Sequence, residues 1–350
     1  MLRTKTASAA LTAPEAQASA GARSHPSAGA RSHSCCGPSS GHRPAPAATT
    51  LPPRAGDPRQ PAHATVLIPG GSFLMGSDDT EAFLDDGEGP VREVALNVYR
   101  IDTVAVSNGR YAEFVRDTGY VTDAERCGWS FVFQAMVSAR TRVRDGIVPD
   151  APWWLAVDGA SWRSPEGPGS TTDDRGGHPV VHVSWRDAAA YAAWAGKGLP
   201  TEAQWEKAAR GGLVQVRYPW GDEFRPGGAH RCNTWQGRFP TINTGSDGYV
   251  GTAPVDAFEP NGYGLYNMAG NVWEWCADWW SANWHAVAPP GARQDPRGPA
   301  AGDAKVMRGG SWLCHASYCN RYRVAARSCS SVDSSTSHIG FRCASAVTPD

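Results

Sequence analysis

Apolar positions recur in short runs from Val66 onward, and glycine and proline interrupt these runs throughout. The stretch VLIPGGSFLMGS predicts a strand, a Pro-Gly-Gly turn and a second short strand. REVALNVYRID alternates between apolar and polar positions, as a half-buried strand does, and an acidic loop, DDTEAFLDDGEGP, precedes it. We therefore expect the folded part of the chain to begin with short strands.

Three segments have helix-capping signals. Ser107 precedes NGRYAEFVRDTG, whose apolar positions share one helical face. Ser184 with Asp187 resembles a capping box before AAAYAAWAGK, and Thr201 with Gln204 caps EAQWEKAAR. Beyond residue 218 the chain reads as loops and short strands. The expected fold class is α+β, a single irregular, loop-rich domain with little regular secondary structure.

The first part of the chain has a different composition. Residues 1–62 consist mainly of alanine, proline, serine and glycine, and they contain no aromatic residue. Such a segment cannot bury enough apolar surface to offset the entropy lost on ordering. We predict a disordered low-complexity tail at residues 1–62 and one folded domain at residues 63–350.

Charge and hydropathy exclude several classes of function. The 350 residues have a formal net charge of -1, which gives no long-range attraction to nucleic acid or anionic membrane. No apolar run approaches the ~20 residues that span a bilayer, and the N-terminal stretch lacks the apolar core of a secretory signal. We expect a cytoplasmic, monomeric protein with neither nucleic acid nor membrane as a partner.

The cysteines are the main candidates for chemistry. Of the nine, Cys314 and Cys319 follow a Gly-Gly-Ser turn. Their spacing alone allows a disulfide, a zinc site shared with Cys329 and Cys343, or a copper(I) site. The zinc alternative lacks the C-x2-C spacing typical of such sites. Soft thiolate ligands select copper(I).

Five segments resemble formylglycine-generating enzymes. RGGSWLCHASYCNRYRVAARS at 308–328 is similar to their active-site segment, and four others match along the chain: GLYNMAGNVWEWCADWW, LPTEAQWEKAARGG, HPVVHVSW and HIGFRCA. The resemblance spans residues 66–344 and implies the formylglycine-generating-enzyme and C-type-lectin-like fold. It also implies copper-dependent oxidation, with dioxygen as co-substrate and an external reductant. The target would be the cysteine of a Cys-x-Pro-x-Arg motif in an unfolded or nascent sulfatase, which becomes Cα-formylglycine.

The same resemblance assigns roles to residues of this chain. It implies that Cys314 and Cys319 hold copper, that His338 lies at the substrate groove, and that structural calcium occupies two loops. His315 lies between the cysteines, where a third copper ligand would compete with substrate, so we expect it to bind substrate together with His338. The implied catalytic residues are Cys314, Cys319, Ser311, Trp273 and Tyr318. The implied calcium ligands are Asn233, Thr234, Asp247 and Tyr249 in the first loop and Asn267, Gly270, Val272 and Glu274 in the second.

Some residues depart from the pattern or compete with it. His338 stands where family members often carry asparagine, so peptide affinity or pH dependence is expected to differ. Ala192 and Ala209 stand where animal members carry structural cysteines, so the resemblance implies a bacterial-type cytosolic enzyme. His178 and His182 have H-x3-H spacing, but the intervening proline and valines predict extended backbone that separates the two side chains. A non-catalytic superfamily member that binds peptide or glycan is the alternative function.

Overall fold

The computed structural model describes residues 64–347, apart from 139, 146–147 and 149–150. The predicted tail at 1–62 and its boundary therefore lie outside the described residues. The helices are α1 Asn108–Thr118, α2 Asp123–Cys127, α3 Trp185–Trp194, α4 Glu202–Arg210 and α5 Trp284–Val287, with 3-10 turns at Leu84–Asp86, Gln134–Met136, Pro226–Gly228 and Pro290–Arg293. The strands are β1 Thr65–Ile68, β2 Gly71–Met75, β3 Arg92–Leu96, β4 Tyr99–Asp102, β5 Trp129–Phe133, β6 Trp154–Asp158, β7 Gly237–Arg238, β8 Ile242–Asn243, β9 Trp273–Trp279, β10 Ala304–Arg308, β11 Arg327–Ser331, β12 Ile339–Gly340 and β13 Ala344–Ala346.

The three predicted helices are confirmed as α1, α3 and α4. Ser107 caps α1 through its side chain, and both predicted capping boxes, before α3 and before α4, are present. Helix α2 was not predicted, although Thr122 and Glu125 form a capping box at its start. These short helices among many short strands confirm the α+β, loop-rich fold class.

The predicted strand REVALNVYRID is wrong as one element, because it forms two. Strand β3 pairs with β2, whereas β4 pairs with β1 and β13 in another sheet. Between them Asn97 donates backbone and side-chain hydrogen bonds to the Asp295 carboxylate, at 2.8 and 2.6 Å. The alternation therefore continues across a point where the chain changes sheets.

A four-stranded sheet within the described part positions the cysteines. Its strand order is β11-β10-β9-β12, antiparallel except where β12 runs parallel to β9. Strand β10 ends at Arg308, directly before the Gly-Gly-Ser turn. Gly310 has a φ of 73°, and a Cβ there would lie 2.8 Å from the carbonyl oxygen of Arg321. Only glycine fits this close approach in a left-handed conformation.

The core combines aromatic packing with buried ion pairs. One cluster of buried residues contains Cys314, Cys319 and Trp273 together with side chains from α1 and α3. Arg308 is fully buried, and it pairs with Glu202 and Glu206 on α4. These pairs hold α4 against the end of β10.

None of the helices in the described residues is long and apolar enough to cross a membrane.

Candidate active site

The turn after β10 holds Cys314 through its own backbone. The Ser311 N–H lies 3.4 Å from the Cys314 sulfur, and the Cys314 N–H donates to the Ser311 carbonyl at 2.9 Å. The Ser311 hydroxyl oxygen accepts the N–H of Leu313 at 3.3 Å. Ser311 therefore shapes the turn and lies fully buried beside the thiol.

The two predicted cysteines are in contact. Their sulfur atoms lie 3.2 Å apart, and only 1% of Cys314 and 2% of Cys319 is exposed. The N–H groups of Tyr318 and Cys319 donate to the His315 carbonyl at 2.9 and 2.8 Å, which closes a turn between the cysteines. The arrangement gives two soft donors in a water-excluded position.

The zinc alternative does not match this geometry. Among the described residues, no group of three or more histidine, cysteine, aspartate or glutamate side chains is arranged to hold a metal ion. Cys329 lies on β11, and the Cys343 N–H donates to the Asp102 carboxylate. The structure therefore brings Cys314 and Cys319 together without Cys329 and Cys343.

Trp273, the first residue of β9, contacts His338, which directly precedes β12. The Trp273 N–H donates to the His338 carbonyl at 2.9 Å, and both residues are buried. The His338 ring packs on Trp154 with 4.6 Å between ring centroids, and its Nδ1 hydrogen-bonds the Thr336 hydroxyl. The imidazole of His338 is thus held from two sides.

Tyr318 and His315 are the two half-buried members of the predicted catalytic and substrate-binding set, whose other members are buried. Tyr318 stacks on Phe239, with centroids 4.2 Å apart and planes 6° apart, and it meets Trp153 edge-on at 4.9 Å. His315 is half-buried, and its Nδ1 hydrogen-bonds the Ser317 hydroxyl at 2.8 Å. Burial lowers the pKa of His315. Phe239 and Trp153 were missed from the sequence, since they come from separate loops without a motif.

The first predicted calcium loop brings its four residues together. The Asp247 carboxylate accepts the N–H groups of Thr234 and Tyr249 at 3.0 and 3.1 Å. Asn233 is buried and donates through Nδ2 to the Gly251 carbonyl. Burial raises the pKa of Asp247, a cost that a bound cation would offset. The oxygen-rich irregular loop fits a hard cation.

The second predicted calcium loop offers oxygen atoms at Asn267 and Glu274. Asn267 has a φ of 49°, and its buried Oδ1 has no hydrogen-bond partner within the described ranges. The Glu274 carboxylate accepts hydrogen bonds from Arg342 and from the Trp205 indole, yet its Oε1 accepts just one of these bonds. A carboxylate oxygen can accept a second partner. The orphaned amide oxygen is the observation that favours a cation here.

The H-x3-H pair has separate partners. His178 Nδ1 hydrogen-bonds Thr252 at 3.0 Å, whereas His182 bonds Ser130 through Nδ1 and the Pro165 carbonyl through Nε2, each at 2.8 Å. The expectation of extended backbone is wrong at His182, whose φ is 58°. A tight tertiary contact with the 130 and 165 segments imposes this conformation.

Known proteins are similar to this chain in sequence. A family model described as the sulfatase-modifying factor enzyme 1-like domain matches residues 52–347. A Thermomonospora curvata protein named formylglycine-generating enzyme is 67% identical over 287 residues, which cover 82% of this chain and 95% of that protein. A mouse protein named inactive C-alpha-formylglycine-generating enzyme 2 is 46% identical, over 81% of this chain and 86% of its own length.

The fold is also similar to that of a solved structure. PvdO from Pseudomonas aeruginosa superimposes with a TM-score of 0.58 and 25% identity, over 81% of this chain and 94% of that one. This likeness supports the fold of the domain. Together with the family match along the chain, it leads to one assignment: the chain belongs to the formylglycine-generating enzyme family.

Proposed function

We propose that this protein oxidises the cysteine of a Cys-x-Pro-x-Arg motif in sulfatases to Cα-formylglycine, with copper(I) held by Cys314 and Cys319. The observation that carries the proposal is the contact between these two buried sulfur atoms at 3.2 Å. Two thiolates suit copper(I), and a two-thiolate set leaves room for a substrate thiolate. When bound, copper would supply one-electron redox chemistry with dioxygen.

The overall reaction balances with an external reductant. The substrate Cβ loses a hydrogen and the thiol carbon is oxidised by two electrons to a thioaldehyde, which water hydrolyses to the aldehyde and hydrogen sulfide. Reduction of dioxygen to two waters takes four electrons. The substrate supplies two of them and the external reductant, a thiol or ascorbate, supplies the other two together with two protons. Neither copper nor protein is changed over the cycle.

The protein's own residues exclude water and orient the reactants. Trp273 and the buried turn around Ser311 enclose the thiols on the side of the core. The Ser311 and Tyr318 hydroxyls orient dioxygen or water beside the sulfur pair. His315 and His338 bind the substrate peptide, and His338 does so with a ring already fixed by Trp154 and Thr336. A dry site protects a reactive intermediate from side reactions.

Calcium at the two oxygen-rich loops is the second part of the proposal. Asn233, Thr234, Asp247 and Tyr249 would hold one ion, and Asn267, Gly270, Val272 and Glu274 the other. Their role is structural, since each ion would stabilise irregular backbone beside short strands: β7 and β8 lie within the first loop, and Glu274 lies in β9. We further propose that the enzyme acts as a monomer in the bacterial cytoplasm, on unfolded or nascent sulfatase, through one domain at residues 63–350.

A peptide assay tests the proposal. The protein, loaded with copper(I) and supplied with reductant and oxygen, is incubated with a peptide containing Leu-Cys-Thr-Pro-Ser-Arg. We expect a mass loss at the cysteine and a product that reacts with an aldehyde probe. A matched peptide with serine in place of cysteine is the control. No aldehyde from fully copper-loaded protein would refute the oxidase.

The second candidate is a non-catalytic member of the family that binds peptide or glycan. The existence of a related protein named inactive makes this a real alternative, because family membership alone does not establish turnover. The paired thiols argue against it, since peptide binding needs no redox-active sulfur. Tight peptide binding in calorimetry, without any aldehyde, would favour this alternative.

A further inference from the structure

The segment after Cys319 is bound by a loop from the beginning of the domain. Arg321 Nε donates to the Asp86 carboxylate at 2.7 Å. Arg323 donates through Nη1 and Nη2 to both carboxylate oxygens of Glu88, at 2.5 and 2.7 Å. All four side chains are buried. The acidic loop predicted from composition is therefore a partner of the active-site segment.

Other residues of the same loop extend this contact. Glu81 accepts a hydrogen bond from Asn320 at 3.1 Å, one residue after Cys319. The guanidinium of Arg321 lies 4.0 Å from the centroid of the Phe83 ring. We call residues 79–88 the acidic clamp. Its contacts with the active-site segment begin at Asn320, immediately after Cys319.

Cys314 is held by different parts of the fold. Its carbonyl accepts the N–H of Trp235 at 3.1 Å, and the N–H of Trp312 donates to the Asn271 carbonyl at 3.0 Å. These contacts come from the two loops proposed to bind calcium. The two sulfur atoms thus meet at a point where separately anchored segments converge.

We propose that the acidic clamp is a positioning element that sets the place of Cys319 relative to Cys314. Bidentate pairs between a guanidinium and a carboxylate fix orientation as well as distance. Buried and excluded from water, the Arg321–Asp86 and Arg323–Glu88 pairs resist rearrangement, so they transmit the position of the clamp to the backbone next to Cys319. The inference deepens the proposed function, because two thiolates bind one metal ion only when their separation is held.

The test measures thiol reactivity in reduced, metal-free protein. Asp86→Asn removes the one clamp charge that pairs with Arg321, at constant side-chain size. Alkylation of each cysteine is followed by peptide mass spectrometry, and local opening limits the rate at a buried thiol. We expect alkylation of Cys319 to accelerate about tenfold, with a smaller change at Cys314. If alkylation accelerated equally at both thiols, or at neither, the proposal that the acidic clamp positions Cys319 would be overturned.

Asp102→Asn is the matched control. Asp102 is also buried, and it pairs with Lys197 and Cys343 rather than with the clamp. The control is expected to lower overall stability without selective exposure of Cys319. Selective exposure of Cys319 in the control as well would show that general loosening causes the effect, and would overturn the proposal.

A milder variant covers the case in which Asp86→Asn does not fold. Phe83→Leu keeps an apolar side chain but loses the ring over Arg321, and about threefold faster alkylation of Cys319 is expected. An unchanged rate would overturn the clamp. Copper(I) affinity of the wild type is measured in parallel. If the wild type binds no copper but Asp86→Asn still exposes Cys319 selectively, the proposed function is refuted. The proposal that the acidic clamp positions Cys319 is then still supported.

Discussion

The backbone N–H of Trp235 donates a 3.1 Å hydrogen bond to the carbonyl of Cys314. Trp235 lies in the first proposed calcium loop, and Cys314 carries one of the two thiols. The second proposed calcium loop contacts the first, because the Asn271 N–H donates to the Asn233 carbonyl at 2.9 Å. Gly270 packs so closely there that a Cβ would lie 2.3 Å from the same carbonyl oxygen. The conformation of these two loops therefore directly affects the position of the Cys314 backbone.

Removal of calcium is expected to loosen Cys314 and to lower the melting temperature. A ligand present at 100 times its Kd stabilises the native state by about 2.7 kcal/mol, and a chelator removes this term. Calorimetry with EGTA, followed by calcium add-back, measures the change. Asp247→Asn is expected to weaken the response. An identical melting curve with and without EGTA would contradict a structural role for calcium.

Gly310→Ala is expected to disturb the cysteine turn. The left-handed φ of 73° strains any L-residue by about 1–2 kcal/mol, and the new Cβ would also meet the Arg321 carbonyl at 2.8 Å. Gly264→Ala is the matched control, since Gly264 has a φ of 80° with nothing within 4 Å of the added Cβ.

Urea unfolding and copper(I) titration distinguish the two glycine variants. Both should lose stability, but weaker copper binding is expected from Gly310→Ala alone. Equal copper affinity in the two variants would show that the turn tolerates the displacement.

Tyr318→Phe separates the tyrosine hydroxyl from the tyrosine ring. The phenylalanine ring can still stack on Phe239, so copper affinity and the KM for the peptide are expected to stay near the wild-type values. The rate of peptide oxidation is expected to fall by about 10- to 100-fold if the hydroxyl orients a reactant. Tyr318→Leu, which also removes the stacking, should raise KM. A wild-type rate for Tyr318→Phe would show that the ring of Tyr318 contributes packing and that its hydroxyl has no role in the reaction.

His182 is expected to make the fold sensitive to acid. Complete burial lowers its pKa to about 4 from an ordinary value of 6.5. The unfolded chain therefore binds a proton between pH 6.5 and pH 4 that the native protein does not. The stability contributed by neutral His182 is present above pH 6.5 and is lost by about 1.4 kcal/mol per pH unit as pH falls through this interval.

The comparison of variants isolates this contribution. Asp187 and Asp278, whose pKa values burial raises to about 7, act in the opposite direction over the same interval. Asn tolerates the left-handed conformation of residue 182, so His182→Asn is the informative variant. The free energy of unfolding of His182→Asn minus that of the wild type should increase between pH 7 and pH 5, because only the wild type loses the His182 contribution. An unchanged pH dependence would contradict the assignment.

The sequence predicted what local chemistry determines. Capping residues such as Ser107 and Thr201 satisfy backbone groups within a few positions, so the helix starts were predictable. The cysteine pair was found because both thiols share one short turn. The pairing of β3 and β4 with different sheets was not predictable, since Asn97 is bound by Asp295 from far along the chain.

Long-range partners explain the other differences. The left-handed conformation of His182 depends on Ser130 and Pro165, and no pattern near residue 182 encodes them. The acidic clamp was visible as a charged loop, yet its arginine partners lie 235 residues later. Family resemblance placed residues at the site, but their mutual geometry required the structure.

Copper(I) affinity, measured by competition with a chromophoric chelator, tests the central claim most directly. We expect the wild type to bind copper(I) tightly at one ion per chain. Cys319→Ser should weaken binding by more than about 100-fold, beyond the 10- to 100-fold typical of changes outside the ligand set. Cys276→Ser, at a buried free thiol in a different cluster, should bind like the wild type. Unchanged affinity in Cys319→Ser would show that the metal ligands lie elsewhere and would contradict the account.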